Sequence, residues 1–302
     1  MAESRVGVLG ASSLVGRCVL PLLRAAGWEV VAFSRKPVES TDGVEWRVLS
    51  LAPIPLLTSP LKGEELRLWR EEKGVSCWIC VAPIWVLPDY FPFIEASGAR
   101  RVVALSSTSR FTKVGSGDMA ENAIAAKLID AEARVQAWAA SRGIEWVVLR
   151  PTLIYGQRQD KNISEMARFI RRFGFFPLLG SAQGLRQPIH AEDVAAACVA
   201  ALQAPGAANR AYNLSGGETL AYREMVARVF AALGRPARLV TVPLWAFRLA
   251  VAMLRRLPRY RHWSAAMAER MNRDLTFDYA DAARDLGFKA RGFVLTAEDV
   301  PQ

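Results

Sequence analysis

The first 25 residues constrain this chain most. Residues 5–10 read Arg-Val-Gly-Val-Leu-Gly, a short apolar run. Residues 10–16 follow as Gly-Ala-Ser-Ser-Leu-Val-Gly, and Val19, Leu20, Leu22 and Leu23 then recur at helical spacing. A tight turn between a buried strand and a helix aims free backbone N–H groups at one point, and the helix dipole adds partial positive charge there. Such a site suits a pyrophosphate. Gly10 lets the backbone turn, and Gly16 lets helix and strand approach closely. Ser13 stands where the usual pattern has its middle glycine. Ser12, Ser13, Leu14 and Val15 supply the backbone between the two glycines. The alternative is an ordinary strand–helix turn.

Further strands are expected at 28–33, 44–49, 76–82, 101–106 and 144–149, with helical or irregular segments between them. Strands alternating with helices predict a parallel sheet covered on both faces. The clearest helix is 118–142, where Ile124, Leu128, Ala131, Val135 and Trp138 repeat by fours and threes. Asp118 and Glu121 read as its capping box, and Gly143 ends it. After Pro151 helices dominate, at roughly 164–173, 191–203, 219–233, 243–257, 264–273 and 279–286. Short strands are expected near 211–214 and 238–242, and two lobes that share the chain fit this texture.

Composition removes several classes. Apolar residues make up 52% of the 302, which excludes a disordered chain. No apolar run reaches the roughly 20 residues of a membrane helix. Met-Ala-Glu-Ser lacks a basic, apolar leader, so a cytoplasmic protein is expected. Cys77 and Cys80 form a C-x-x-C inside an apolar run. Residues three apart on a strand point to opposite faces, so neither a metal nor a redox pair is expected. Cys18, Cys198, His190 and His262 add no metal-ligand pattern. The formal charge of +10 invites an anionic partner, with a nucleotide cofactor, a nucleotide-linked substrate, a lipid surface and nucleic acid as the candidates. No zinc-finger or RNA-recognition spacing occurs, so no nucleic-acid partner is expected.

Four later segments fall in a known order. Residues 149–156, Leu-Arg-Pro-Thr-Leu-Ile-Tyr-Gly, resemble the Arg-Pro-x-x-x-Tyr-Gly segment of extended short-chain dehydrogenases/reductases, the nucleotide-sugar epimerase/dehydratase family. Residues 187–195, Gln-Pro-Ile-His-Ala-Glu-Asp-Val-Ala, are similar to its Phe-Ile-His-Val-x-Asp-Val-Ala segment. Residues 212–217 resemble its Tyr-Asn-x-Gly-x-Gly, and 282–288 its Ala-x-x-x-Leu-Gly-Phe. The resemblance implies an α/β fold: a Rossmann-like, doubly wound parallel sheet with a smaller, mainly helical C-terminal substrate lobe. Residues 1–155 are expected to bind the dinucleotide and 156–302 to form the lobe, with chain from about 187–215 returning to the first part.

The same resemblance places the active site on a Ser/Thr near the end of the fifth strand and a Tyr-x-x-x-Lys on the next helix. The tyrosine exchanges a proton with substrate, and the lysine lowers its pKa and holds the nicotinamide ribose. Thr108 matches the Ser/Thr and Lys127 the lysine, but Ala123 occupies the tyrosine position. None of the six tyrosines has a lysine four residues on, so the chain is an atypical member. Three readings of the vacancy stand open. Lys127 is itself the acid/base, as in the isoflavone-reductase-like group; another group or the substrate supplies the proton; or the protein binds cofactor without chemistry, as a sensor, scaffold or assembly factor.

The second strand ends Ser34-Arg35-Lys36 in place of the acid that holds the ribose of NAD, so NADP is expected over NAD. Ala82, Pro83, Ser106 and Pro151 are the further positions that the resemblance assigns to the cofactor. A small carbonyl or nucleotide-sugar-like substrate is expected. Arg168-Phe-Ile-Arg-Arg-Phe-Gly-Phe-Phe falls in the substrate region, with Phe169, Ile170 and Phe173 expected in the core. His190 is expected to orient a loop and Asp193 to cap a helix. Residues 243–263, basic and flanked by Trp245 and Trp263, either pack in the lobe or make a peripheral membrane contact. A homodimer is compatible with the family.

Overall fold

A computed structural model describes residues 5–38, 43–49, 74–247 and 265–301. Seven parallel strands form one sheet: β1 (Arg5–Leu9), β2 (Glu29–Ser34), β3 (Glu45–Val48), β4 (Cys77–Cys80), β5 (Arg101–Leu105), β6 (Glu145–Pro151) and β11 (Arg210–Leu214). Their order is β11-β6-β5-β4-β1-β2-β3. The order in which strands are added reverses at the β1/β4 boundary, which opens a crevice at the carboxyl ends of those strands. The doubly wound parallel sheet expected from the alternation is therefore present, with each strand within two residues of its expected bounds at either end.

Alternation along the strands builds a core on each face. Val6, Val8, Val30, Ala32, Ile79, Val103 and Val147 point to one side, under α1 (Leu14–Ala25), α6 (Ala191–Gln203) and α9 (Ala280–Leu286). Val31, Phe33, Trp78, Val102 and Val148 point to the other. There they meet a 3-10 turn over Ile84–Tyr90, α2 (Phe91–Ala96) and α4 (Met119–Arg142). Cys77 packs toward the first core and Cys80 lies in the second, so the two thiols are separated by the sheet. Burial pushes the Cys80 thiol up to about 12. Trp78 is fully buried and lies where a Cβ on Gly7 would sit 2.5 Å from its ring, which makes Gly7 obligatory.

A third core lies beyond the carboxyl edge of the sheet. It joins α5 (Ile163–Phe173) and α7 (Tyr222–Ala232) to three short strand pairs. These are β7 (Ile154–Tyr155) with β10 (Ile189–His190), β9 (Leu185–Arg186) with β12 (Leu220–Ala221), and β8 (Phe176–Leu179) with β13 (Leu239–Val242). α8 (Ala265–Asn272) contributes Met271. In α5, Ile170 is fully buried, but Phe173 is 51% exposed rather than in the core. α5 ends at Gly174, so the last turn extends past the packed stripe.

One buried carboxylate joins the sheet to α4. Glu132 is 1% exposed and sits beside the apolar stripe of Ile124, Leu128, Ala131 and Val135. It accepts from Ser106 Oγ at 2.5 Å, from Arg110 Nη1 at 2.5 Å and from Arg150 Nη2 at 2.6 Å. Removing it leaves two shielded guanidinium groups unpaired. Glu132→Leu is therefore expected to cost about 3–5 kcal/mol in urea unfolding. Arg142→Ala, on the same helix but 58% exposed, removes a surface pair with Glu95 and should change stability by about 1 kcal/mol or less. Equal effects would show that the Glu132 cluster is not a structural anchor.

Candidate functional site

The turn after β1 has the geometry of a phosphate cradle. Gly10 has φ +82°, and a Cβ there would lie 2.6 Å from the Ala82 backbone nitrogen. A Cβ on Gly16 would lie 2.5 Å from the carbonyl oxygens of Gly10 and Ala11. Both glycines are thus required, one by conformation and one by contact. Ser13 is the N-cap of α1, its Oγ accepting from Gly16 N at 3.2 Å. A serine in the middle position keeps the helix start satisfied while Ser12 stays exposed at the tip. Leu14 opens the first turn, and Val15 beneath it is buried.

At the end of β2, Ser34 Oγ folds back on its own turn, accepting from Lys36 N at 3.2 Å and donating to the Lys36 carbonyl. Arg35 and Lys36 are exposed. Among the described residues neither forms an ion pair. Ala82 and Pro83 follow β4 beside the Gly10 turn. The Gly10–Gly16 turn, Ser34–Lys36 and Ala82–Pro83 thus border one crevice, and their donors and lack of side-chain bulk fit a dinucleotide.

A cavity of about 550 Å³ lies between the ends of β5 and β6 and the third core. Ser107, Thr108, Thr112 and Lys113 form one wall; Thr108 and Lys113 flank the single-turn α3 (Ser109–Thr112). Thr108 is buried, and both its N and its Oγ1 donate to the Pro151 carbonyl, at 3.1 and 3.2 Å. Arg186, Gln187, Tyr222, Arg270 and Phe277 close the other side. Burial, then the charge of Arg270, lowers the pKa of Lys113. Burial pushes the Tyr222 phenol up to about 12, against the pull of Arg186. Burial likewise lowers Arg186 and Arg270.

Two expected site residues are not brought to this cavity. Ala123 and Lys127 are exposed, on the side of α4 away from the sheet. The inward positions spaced by four are Ile124 and Leu128, both packed in hydrocarbon. The cause is the buried position of Glu132: five residues along a helix is about 140° from Lys127, so a helix that buries one exposes the other. Ser106 is also occupied, its hydroxyl donating to Glu132. The capping box is half formed. Asp118 accepts from Ala120 N at 2.9 Å, but Glu121 turns to Ser116 Oγ at 2.8 Å and to Arg270.

His190, not Asp193, caps α6. Its Nδ1 accepts from Glu192 N at 3.3 Å, so Nε2 carries the proton and donates to Asp299 Oδ1 at 3.1 Å. Asp193 instead accepts from Arg291 N and Nε, at 3.0 and 2.9 Å. Both pairs tie the C-terminal segment to the base of α6. Most of the 243–263 segment lies outside the described residues; within them Trp245 is 72% exposed. Among the described residues no helix is long and apolar enough to cross a membrane, and no cluster of three potential ligands forms a metal site.

Sequence reasoning missed Lys113, Tyr222 and Arg270, which come from distant segments with no shared spacing. Glu132 was open to detection, as a lone carboxylate beside an apolar helical stripe.

Residues 92–215 match the NAD dependent epimerase/dehydratase family. A (4-alkanoyl-5-oxo-2,5-dihydrofuran-3-yl)methyl phosphate reductase from Streptomyces griseus is 30% identical over 251 residues, covering 81% of this chain and 79% of that protein. UDP-glucose 4-epimerase from Vibrio cholerae is 25% identical over 174 residues, 56% of this chain, and the match spans about half (51%) of that relative's length. The solved structure of MoeE5 in complex with UDP-glucose and NAD has a TM-score of 0.69 at 20% identity, covering 96% of this chain and 94% of that one. The fold is shared, and the chain belongs to the NAD dependent epimerase/dehydratase family.

The Asp299 latch has a defined pH signature. Burial alone raises its pKa, but hydrogen bonds from His190 Nε2 and from Thr296 N and Oγ1 outweigh it and bring it from 3.8 down to about 2. A depressed folded-state pKa stabilises above the unfolded value and is lost as pH falls through the folded one. The Tm gap between the parent and Asp299→Asn should be full above about pH 4 and close toward about pH 2. A gap that stays constant across that range would contradict the latch.

Proposed function

We propose that this chain binds a nicotinamide dinucleotide, NADP(H) in preference to NAD(H), and reduces an electron-poor double bond conjugated to a carbonyl in a small molecule. The dinucleotide is assigned to the Gly10–Gly16 turn, and the substrate to the cavity that the ends of β5 and β6 share with the third core. The observation that carries the chemistry is the inward face of α4: Ile124 and Leu128 stand there, and the only lysine of that turn, Lys127, faces solvent.

When bound, the nicotinamide supplies hydride. Reduction of an isolated carbonyl leaves a strongly basic oxyanion that needs an adjacent proton donor or firm hydrogen bonds. Hydride addition to a double bond conjugated to both an acyl group and a lactone carbonyl leaves a delocalised 1,3-dicarbonyl enolate, far less basic than an alkoxide, that water can protonate. This chain's residues suit the second case. Ser107 and Thr112 offer hydroxyls in the cavity, and Thr108 is fixed by the Pro151 carbonyl. The Streptomyces relative supports the reading, since its name describes a reductase of an oxo-dihydrofuran with an alkanoyl group. The two engaged hydroxyls, Ser106 on Glu132 and Thr108 on Pro151, favour a second reading, a dinucleotide-binding protein without turnover.

Arg35 and Lys36, exposed at the end of β2 and without an ion pair among the described residues, support the 2′-phosphate preference. Guanidinium binds phosphate through two parallel hydrogen bonds. Arg35→Ala is expected to weaken NADPH binding by about 1.5–3 kcal/mol and NADH binding far less, read by fluorescence titration. Equal losses would overturn the NADP assignment. The reaction is tested with matched acceptors: NADPH consumption is expected with an acyl-substituted unsaturated lactone and not with its saturated ketone counterpart. Comparable rates would overturn the double-bond reading. Tight NADPH binding without consumption in either case would establish the second reading.

A further inference from the structure

The 550 Å³ cavity is lined by three cations, Lys113, Arg186 and Arg270, and by no acidic residue among those described. The three are not equivalent. Arg186 is consumed by the fold: its guanidinium donates to the carbonyls of Leu185 at 2.7 Å, of Arg273 at 2.8 Å and of Arg270. It also lies over the Tyr222 ring at 5.5 Å. Arg270 pairs from behind with Glu121, which belongs to an adjoining pocket of about 40 Å³ rather than to the cavity itself. The Lys113 ammonium has no ion pair or hydrogen bond among the described residues. Asp118 attracts both Lys113 and Arg270 but does not line the cavity.

Like charges gathered in a half-buried chamber repel, and each loses hydration there. Both effects lower the Lys113 pKa in this structure. An anion bridging Lys113 and Arg270 relieves both. About half of the remaining wall is apolar, with Leu153, Met166, Met271 and Phe277, and the rest carries hydroxyls and amides. We infer that Lys113 and Arg270 form an anion clamp, and that the ligand of this cavity is a small amphipathic molecule bearing a phosphate or carboxylate on an apolar body. The inference rests on the reading of this cavity as the substrate site, and it names the recognition element that the hydride chemistry does not specify.

Calorimetric titration with hexyl phosphate, hexanoate and hexanol tests it, with and without saturating NADPH. Hexyl phosphate or hexanoate is expected to bind the parent and to lose about tenfold in affinity in Lys113→Gln, as the loss of one charge-assisted contact requires. Lys113→Arg should retain most of the affinity. The tighter of the two anions identifies the head group. Hexanol binding as tightly as both anions, or Lys113→Gln binding them like the parent, would overturn the clamp. So would a loss of anion affinity that follows Arg35→Ala or NADPH saturation instead of Lys113, because it would put the anion in the Gly10 crevice. Direct titration of NADPH on the same samples separates the two proposals: failure of NADPH to bind sinks the dinucleotide reading, while anion affinity that depends on Lys113 upholds the clamp.

Discussion

The buried carboxylate of Glu132 is the contact on which the geometry of this molecule turns. A carboxylate that is 1% exposed is tolerable only with its lone pairs filled by charged donors, and here Arg110, Arg150 and Ser106 fill them. Those three residues come from α3, from β6 and from just past the end of β5. One side chain therefore fastens a long surface helix to the carboxyl edge of the sheet. The cluster also reaches the cavity. Arg110 and Arg150 lie over the Phe111 ring at 5.0 and 5.4 Å, and Phe111 lies 5.9 Å from Phe277 in the cavity wall.

Because Glu132 sets the rotation of α4, it also decides which residues of that helix can meet a ligand. Ile124 and Leu128 turn inward and Lys127 outward. Neither Ala123, at the position that the resemblance assigns to the tyrosine, nor the inward pair Ile124 and Leu128 carries a proton donor. What remains at the edge of the sheet is a glycine turn suited to phosphates on one side, and a cationic chamber with partly apolar walls on the other. That arrangement fits a reaction needing hydride and a held substrate, with little demand for an internal acid.

The sheet was legible because each strand is an apolar run bounded by turn residues, as in 28–33 and 101–106, and because Gly143 marks the end of α4. Backbone-level features were legible for the same reason, since Gly10 and Gly16 act through sterics that local sequence encodes. Features that depend on distant partners were not. The stripe of Ile124, Leu128 and Ala131 already marked the inward face of α4, but spacing along the helix does not reveal the pair between Glu132 and Arg150 that anchors it. α7 begins at Tyr222 rather than near 219 because Leu220 and Ala221 pair as a strand with β9. His190 displaced Asp193 as the cap of α6 because Arg291, far along the chain, takes the Asp193 carboxylate.

The central claim is that α4 is held so that its family lysine position faces solvent. The most direct measurement is the NADPH dissociation constant of Lys127→Met against the parent. With Lys127 exposed and outside the cavity, the constant should change by about twofold or less, the scale of a lost surface charge. Weakening by about tenfold or more, the signature of a lost charge-assisted contact to the cofactor, would contradict the account and place Lys127 at the ribose after all.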